Sequence, residues 1–114
     1  MKTIKISRRR WWRGQGWGAL YVSAEAKMCC LGFVCRAYGV SLNAIRDHRM
    51  PRALSQPARA RLPKWLLQPD RTSDVNRAAV VNDRRLSEPL SEPTREAKIA
   101  AIFKRHGLRA VFTK

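Results

Sequence analysis

The stretch "MCCLGFVCRAYG", residues 28–39, contains the longest apolar run of the chain and ends in a glycine. Its large side chains recur at helical spacing along one face, at Met28, Leu31, Cys35 and Tyr38. An apolar face of this width is typical of a helix that packs into a core, and Gly39 is suited to the position just after a helix. We therefore predict a central core helix that ends at Tyr38.

The start of this helix is predicted at Ser23, which would act as the N-cap, with Glu25 in the first turn. A serine oxygen accepts a backbone N–H at such a position, and an acidic side chain there suits the helix dipole. Gly32 lies in the middle of the predicted helix, where glycine costs about 1 kcal/mol of helix propensity. We expect this glycine to admit a close neighbour.

Two segments at the ends of the chain alternate apolar and polar residues, "KTIKI" at 2–6 and "LRAVFT" at 108–113. This period predicts strands with one buried face, and we expect the two to pair and close the domain. "ALYV" at 19–22 is a further candidate strand. The predicted fold class is α+β, with three or four helices packed on a small sheet that includes the N- and C-terminal strands, in one domain over residues 1–114.

Three more helices are predicted from capping residues and periodicity. A short one, "LNAIRDHR", would follow Ser41 and end before Pro51. Another would cover 72–85, capped by Thr72 or Ser73, with its apolar face formed by Val75, Ala79 and Leu86. The last would begin near Thr94, bury its apolar face and end at Gly107. That buried face comprises Ile99, Ile102 and Phe103.

The segment 51–69 is basic and carries prolines at positions 51, 57, 63 and 69. It is too short and too irregular for a repeat architecture, so the even spacing is interpreted as coincidental. We predict a proline- and arginine-rich loop, with "LPKWLL" as one helical turn that Trp65 and Leu66 hold against the core. Long loops of this kind in small domains are often functional.

The formal net charge is +16, of which residues 1–69 carry +12 and residues 70–114 carry +4. A field of one sign attracts polyanions, so the expected partners are nucleic acid, a nucleoprotein complex or an acidic protein surface. No apolar run approaches the roughly 18 residues of a membrane span, and no secretory signal is recognisable, so no membrane partner is expected. Three cysteines do not form a disulfide framework, which indicates the cytoplasm.

The segment "SRRRWWRGQGWG", residues 7–18, combines the two residue types that bind single-stranded nucleic acid. Indole rings stack on bases and arginines neutralise phosphates. The candidate binding residues here are Arg8, Arg9, Arg10, Trp11, Trp12, Arg13 and Trp17. A purely structural use of the tryptophans is the open alternative. If the strand continues, Trp11 and Trp12 face opposite sides, so we expect one buried and one exposed ring.

A second candidate patch lies in the proline-rich segment, where no acidic residue occurs between 51 and 69. Its members are Arg52, Arg59, Arg61 and Lys64. A helix-turn-helix on 23–48 is a rival hypothesis, with Asn43, Arg46 and Arg49 facing a DNA groove. A sequence-specific regulator of this kind would be an alternative function.

Catalytic and metal sites are not expected. The cysteines at 29, 30 and 35 lack the second ligand pair of a zinc motif. No nucleophile, phosphate-loop or metalloprotease motif is present, and the acidic residues around 83–96 are not brought together by any pattern. The sequence therefore predicts a non-enzymatic protein without a cofactor or a metal ion.

Several landmarks, "WWRG", "KMCCLGF", "VND" and "REAKIAAIFKRHGLRAVF", resemble small proteins encoded in phage and prophage accessory regions. The resemblance implies an inhibitor of host defence, including the anti-CRISPR type, or a modifier of host machinery, in the cytoplasm of a bacterial host. It carries no binding residues with it. A charge of +16 is incompatible with imitation of DNA, so such an inhibitor would engage guide RNA, target DNA or an acidic face of a nucleoprotein complex. A protein–protein inhibitor without nucleic-acid contact is the other alternative.

Overall fold

The computed structural model describes residues 1–15, 18–84 and 91–114. The strands in these ranges are β1 (Lys2–Ser7), β2 (Tyr21–Val22), β3 (Lys27–Met28) and β4 (Leu108–Thr113). The α-helices are α1 (Cys30–Ala37), α2 (Leu42–Ile45), α3 (Gln56–Arg59), α4 (Asp74–Asp83) and α5 (Glu92–Lys104). The predicted α+β class is confirmed.

Strands β1 and β4 form a two-stranded parallel sheet, as predicted for the two ends of the chain. Ile4 lies opposite Ala110 and Ile6 opposite Phe112, and both isoleucines are fully buried. Parallel neighbours require a long crossover between them, and here the crossover contains all five described helices. Helix α5 turns into β4 through Gly107, which adopts a φ of 73°.

Helix α1 is the central core helix, and its residues from Cys30 to Cys35 are all buried. A Cβ atom on Gly32 would lie 2.0 Å from the carbonyl oxygen of Leu20. The close neighbour expected at this glycine is therefore present. Only a residue without a side chain allows the backbones of Gly32 and Leu20 to approach so closely.

The predicted start of this helix at Ser23 is wrong, since residues 21–28 form the β2–β3 hairpin. The Ser23 hydroxyl donates to the Asp47 carboxylate at 2.7 Å, which occupies the group that would have capped a helix. The hydrogen bond from the Ser23 backbone, together with that from the Ser23 hydroxyl, lowers the pKa of Asp47. The first turn of α1 is capped instead by Asn82, whose Oδ1 accepts the Cys30 N–H at 2.9 Å.

Helix α2 has the predicted N-cap, because the Ser41 hydroxyl accepts the Ala44 N–H at 3.1 Å. Its predicted extension to residue 49 is wrong, since it ends at Ile45. Asp47 adopts a φ of 58° and donates its backbone N–H to Tyr21, so the chain leaves the helix to pair with the hairpin.

The proline-rich segment is not a plain loop, which corrects the prediction for 51–69. It contains a 3₁₀ turn at Pro51–Ala53, helix α3 and a second 3₁₀ turn at Lys64–Leu67. Pro51 and Pro57 lie in the first turns of the first two, and Pro63 is the N-cap of the third. The even spacing thus has a structural counterpart, because proline is pre-organised for the start of a helix. Leu66 is fully buried and Trp65 packs edge-on against Phe103, as expected.

Helices α4 and α5 pack on each other and close the core beside α1. Val75 is fully buried as predicted, whereas Ala78 is the buried alanine and Ala79 is half-buried. The predicted contribution of Leu86 lies outside the described residues. In α5 the predicted face of Ile99, Ile102 and Phe103 is buried, and the helix begins at Glu92, slightly before the predicted Thr94, with Ser91 as its cap.

Candidate functional site

Trp11, the first tryptophan of the arginine/tryptophan segment, belongs to the core. Its side chain is 2 % exposed, and its indole N–H donates to Asn82 Oδ1 at 2.6 Å. Its ring lies 5.1 Å from that of Phe112 on β4. Trp12 is half-buried and its indole N–H is buried, so the ring is less exposed than expected, and Trp17 lies outside the described residues.

Two arginines of the segment are held by carboxylates of α5. Arg8 forms a bidentate pair with Glu96 at 2.7 and 2.8 Å, and these hydrogen bonds raise the pKa of Arg8. Arg13 pairs with Glu92 at 2.6 Å, and its guanidinium lies over the Trp11 ring at 4.4 Å. Both side chains are thus already used to join the segment after β1 to α5.

Arg9 and Arg10 differ from these two, because their exposed side chains form no ion pair or hydrogen bond with another described residue. Within the described part of the segment they are the arginines that are open to an external anion. The predicted N-terminal binding surface is therefore reduced to these two cations and the exposed part of Trp12.

The second predicted patch is divided by the fold. Arg59, Arg61 and Lys64 are exposed around α3 and the turn that follows it. Arg52 points elsewhere, into a cleft beside α4, where its guanidinium donates to Asn76 Oδ1 at 3.3 Å.

This cleft, which we call the arginine cleft, has a volume of about 980 Å³ and lies between α4 and the residues around Pro51. Among the described residues that line it, four are arginines and Asp83 is the single acidic one. The arginines are Arg49, Arg52, Arg71 and Arg84. Met50, Ala79 and Val80 contribute an apolar surface between them.

Helix α4 builds one wall of the cleft, because Asn76, Ala79 and Asp83 recur at helical spacing along one face. The Asn76 side chain is itself held in place, since its amide donates to the Asp70 carbonyl and to Ser73 Oγ. The Asn76 side-chain oxygen accepts a hydrogen bond from Arg52, so the orientation of that guanidinium is set by the N-terminal turn of α4.

The carboxyl group of Asp83 is partly withdrawn from the cleft. Burial raises its pKa above the usual value, although the Asn82 amide, Arg49 and Arg95 oppose the shift. The Asn82 amide donates to Asp83 Oδ1 at 2.8 Å. The described cleft lining therefore combines four guanidinium groups with one carboxyl group whose pKa is raised by burial.

The predicted binding patches did not include Arg49, which entered only the helix-turn-helix hypothesis, or Arg71 and Arg84, which belong to the half of the chain with a small net charge. Three acids of that half form ion pairs elsewhere in the fold. Glu92 and Glu96 hold arginines of the N-terminal segment, and Asp74 holds Arg105 at 3.3 Å. A segment's net charge is then a poor guide to the charge of the surface it forms.

The three cysteines offer no reactive thiol. Burial raises the pKa of Cys29 and Cys35 to about 12 and that of Cys30 well above its usual range. Thiols in such an environment are poor nucleophiles near neutral pH. In the described part of the chain, no three His, Cys, Asp or Glu side chains converge to hold a metal ion.

His106 forms a separate polar contact at the end of α5. Its Nε2 lies 2.7 Å from Asp74 Oδ2, and its ring stacks on Trp65 at 4.1 Å. These contacts join the turn at Lys64–Leu67, the start of α4 and the end of α5. In the described ranges, no serine, threonine or cysteine side chain is among the hydrogen-bond partners of His106.

The helix-turn-helix hypothesis required a recognition helix over 41–49, and α2 supplies a single turn instead. Asn43 lies in that turn and Arg46 follows it, both exposed. A recognition helix reads bases from several successive side chains, which one turn does not provide.

Comparison with known proteins finds no matching family model, no similar curated protein and no similar solved structure. The resemblance to phage accessory proteins therefore stays a prediction. Within the described ranges, the helices are too short or too polar to cross a bilayer.

Proposed function

We propose that this protein is a non-enzymatic binding module. It binds nucleic acid, either free or within a nucleoprotein complex, through the arginine cleft. The observation that carries the proposal is the gathering of four arginines on one cleft whose described lining contains a single, partly buried carboxyl group. The arginines are Arg49, Arg52, Arg71 and Arg84. Guanidinium groups are planar and present paired N–H donors that match two oxygens of one phosphate.

The chemistry of the cleft favours contacts to the backbone over contacts to bases. Its lining contains no aromatic ring among the described residues, so bases have no platform on which to stack. Phosphate contacts fix a protein on nucleic acid but carry no sequence information directly. We therefore expect similar affinity for single and double strands and weak sequence preference.

Arg9 and Arg10 are a candidate second contact, because they are exposed cations without an intramolecular partner. The wider role implied by the resemblance, inhibition of a host defence or host-machinery complex, would follow if the cleft covers the guide RNA or target DNA of such a complex. With a net charge of +16, the protein would act by binding polyanion rather than by replacing it.

The test is fluorescence anisotropy of labelled single- and double-stranded oligonucleotides at about 50 and 200 mM salt, a range over which phosphate contacts weaken strongly. Three double variants are compared. Arg71→Ala with Arg84→Ala alters the cleft, and Arg9→Ala with Arg10→Ala alters the N-terminal segment. Lys5→Ala with Arg109→Ala removes two exposed cations from the β1–β4 sheet and is the charge-matched control.

The cleft variant should bind at least about tenfold more weakly than the control, since each arginine–phosphate contact contributes about 1 kcal/mol or more. The slope of log affinity against log salt should fall by about two, one for each lost contact. Equal affinity of the cleft variant and the control would remove the cleft from the interface. If only the N-terminal variant weakens binding, the interface is the arginine/tryptophan segment. Absence of binding at the lower salt would overturn the proposal.

A further inference from the structure

A second groove runs between α4 and α5 on the other side of Val80, with a volume of about 490 Å³. We call it the apolar groove, because four of its lining residues are aliphatic, and we refer to these four residues as its floor. They are Val80, Val81, Ala101 and Ile102. Val80 is 61 % exposed, which makes it one of the few large apolar side chains that the described surface leaves in water.

Every charged residue that the described part of the chain contributes to this groove is cationic, and none of the described lining residues carries a carboxylate. These cations, which we call the rim, are Arg71, Arg77, Lys98 and Arg105. Arg105 reaches Asp74 at 3.3 Å, outside the lining. The side chains of Arg71, Arg77 and Lys98 are exposed and form no ion pair or hydrogen bond with another described residue.

We propose that the apolar groove is a docking site for an acidic amphipathic helix of a partner protein. Such a helix would place aliphatic side chains on the floor and carboxylates on the rim, which is the usual way in which a groove between helices receives a third one. Burial of the exposed floor supplies affinity, and the cations select the partner and speed its association.

Charge and chemistry disfavour the other occupants of this groove. A second copy of the chain would bring a net charge of the same sign, +16, towards a rim that is already cationic. Nucleic acid would meet the cations but would also cover aliphatic residues, with no neutral hydrogen-bonding side chain among the described lining residues, whereas Asn76 supplies one in the arginine cleft.

The proposal goes beyond nucleic-acid binding but is compatible with it in space. Arg71 and Val80 line both the apolar groove and the arginine cleft, so the two surfaces meet along the outer side of α4. A nucleoprotein complex that presents an acidic helix next to its nucleic acid would contact both.

The probe is a labelled helical peptide of about 15 residues with leucines along one face and glutamates elsewhere, long enough to form a stable helix on binding. A scrambled peptide of the same composition has equal charge and no apolar face. Anisotropy is measured with the wild-type protein, with Arg77→Glu combined with Lys98→Glu, and with Lys5→Glu combined with Arg109→Glu. The last variant changes the net charge equally on the β1–β4 sheet.

The amphipathic peptide should bind the wild type at least about tenfold more tightly than the scrambled one, and the groove variant should lose at least about tenfold relative to the sheet control. Circular dichroism verifies that each variant is folded. If the variant with glutamates at positions 77 and 98 does not fold, the milder pair Arg77→Ala with Lys98→Ala is measured in its place. Equal binding of the two peptides, or equal loss in the two charge variants, would mean general electrostatic attraction and would overturn the proposal.

The same variants measured with oligonucleotide separate this proposal from the proposed function. If the groove variant weakens oligonucleotide binding as strongly as the Arg71→Ala, Arg84→Ala pair does, and the peptide does not bind, the groove belongs to the nucleic-acid interface. If the peptide binds and the oligonucleotide does not, the groove stands and the proposed function fails.

Discussion

Gly32 shows how the absence of one methyl group decides the packing of the core. Leu20 is fully buried, and its carbonyl oxygen accepts the Cys29 N–H at 3.2 Å just before α1 begins. A Cβ atom at position 32 would lie 2.0 Å from that oxygen and 3.1 Å from the Met28 Cβ. The first of these distances is far inside van der Waals contact, and the obstacle is backbone rather than a flexible side chain.

Gly32→Ala is therefore expected to destabilise the protein although alanine favours a helix by about 1 kcal/mol. The steric conflict forces the hairpin and α1 apart, at a cost of about 3 kcal/mol or more, so the net loss should exceed about 2 kcal/mol. Urea unfolding followed by circular dichroism measures it. Ala37→Gly, at an exposed position of the same helix, is the control and should cost at most about 1 kcal/mol. A Gly32→Ala variant at least as stable as the wild type would contradict the close approach.

At the scale of the elements, Asn82 joins the parts of the fold that the sequence keeps far apart. Its Oδ1 accepts the Trp11 indole N–H at 2.6 Å and the Cys30 N–H at 2.9 Å, and its amide donates to the Trp12 carbonyl at 2.9 Å. Its backbone carbonyl accepts the Gly14 N–H at 2.8 Å. One fully buried side chain at the end of α4 thus caps α1 and holds the segment after β1.

Asn82→Ala is expected to cost about 3 kcal/mol or more, because it leaves buried donors and an acceptor without partners, each at about 1–3 kcal/mol. Thermal and urea unfolding give the free energy of unfolding directly. The comparison is Ser41→Ala, which removes the local cap of α2 and should cost about 1 kcal/mol. If Asn82→Ala costs no more than Ser41→Ala, the hydrogen bonds of Asn82 do not join these elements.

Buried Arg95 supports the same junction from α5. Its guanidinium donates to the carbonyls of Val81 and Asn82, and its side chain lies 3.6 Å from Glu92. Gly14 has a φ of 70°, and a Cβ atom at this position would lie 3.2 Å from Nη2 of this guanidinium. A buried arginine on α5 is therefore a structural residue, although its type alone would place it with the binding residues.

At the scale of the whole molecule, the fold separates its charges. Acidic side chains form ion pairs that connect elements of the fold, as in Arg8–Glu96 and Arg13–Glu92. Cations without such a partner lie on the surface. A net charge of +16 on a chain of 114 residues opposes the compact state through self-repulsion. A polyanion that binds the folded protein relieves this repulsion and adds its own binding free energy.

We expect the melting temperature to rise with sodium chloride at low ionic strength, by about 4 °C for each kcal/mol of repulsion that is screened. A sulfated polysaccharide should raise it further at equal ionic strength. Differential scanning calorimetry measures both effects. The Lys5→Glu, Arg109→Glu variant, which has a lower net charge, should respond less to salt. A melting temperature that falls with salt would show that the ion pairs outweigh the repulsion.

The sequence by itself determined the elements whose signals are local. The strands at the two ends follow from alternation, the cap at Ser41 from residue type and the turn after the last helix from Gly107, because each signal acts within a few residues along the chain. The helix itself ends at Lys104, three residues before the predicted end. The core helix was recognised from its apolar face, and the close neighbour of Gly32 from the cost of glycine in a helix.

Only the tertiary structure decided where α1 begins and which arginines line the arginine cleft. Ser23 has the right chemistry for a cap, but Asp47 binds it, and Asn82 supplies the cap from 52 residues away. Arg8 and Arg13 have the right chemistry for phosphates, but carboxylates of α5 hold them, and Arg71 and Arg84 are left open in their place. The physical reason is the same in both cases, because a polar group bonds the nearest partner in space, and residue type does not reveal which partner that is.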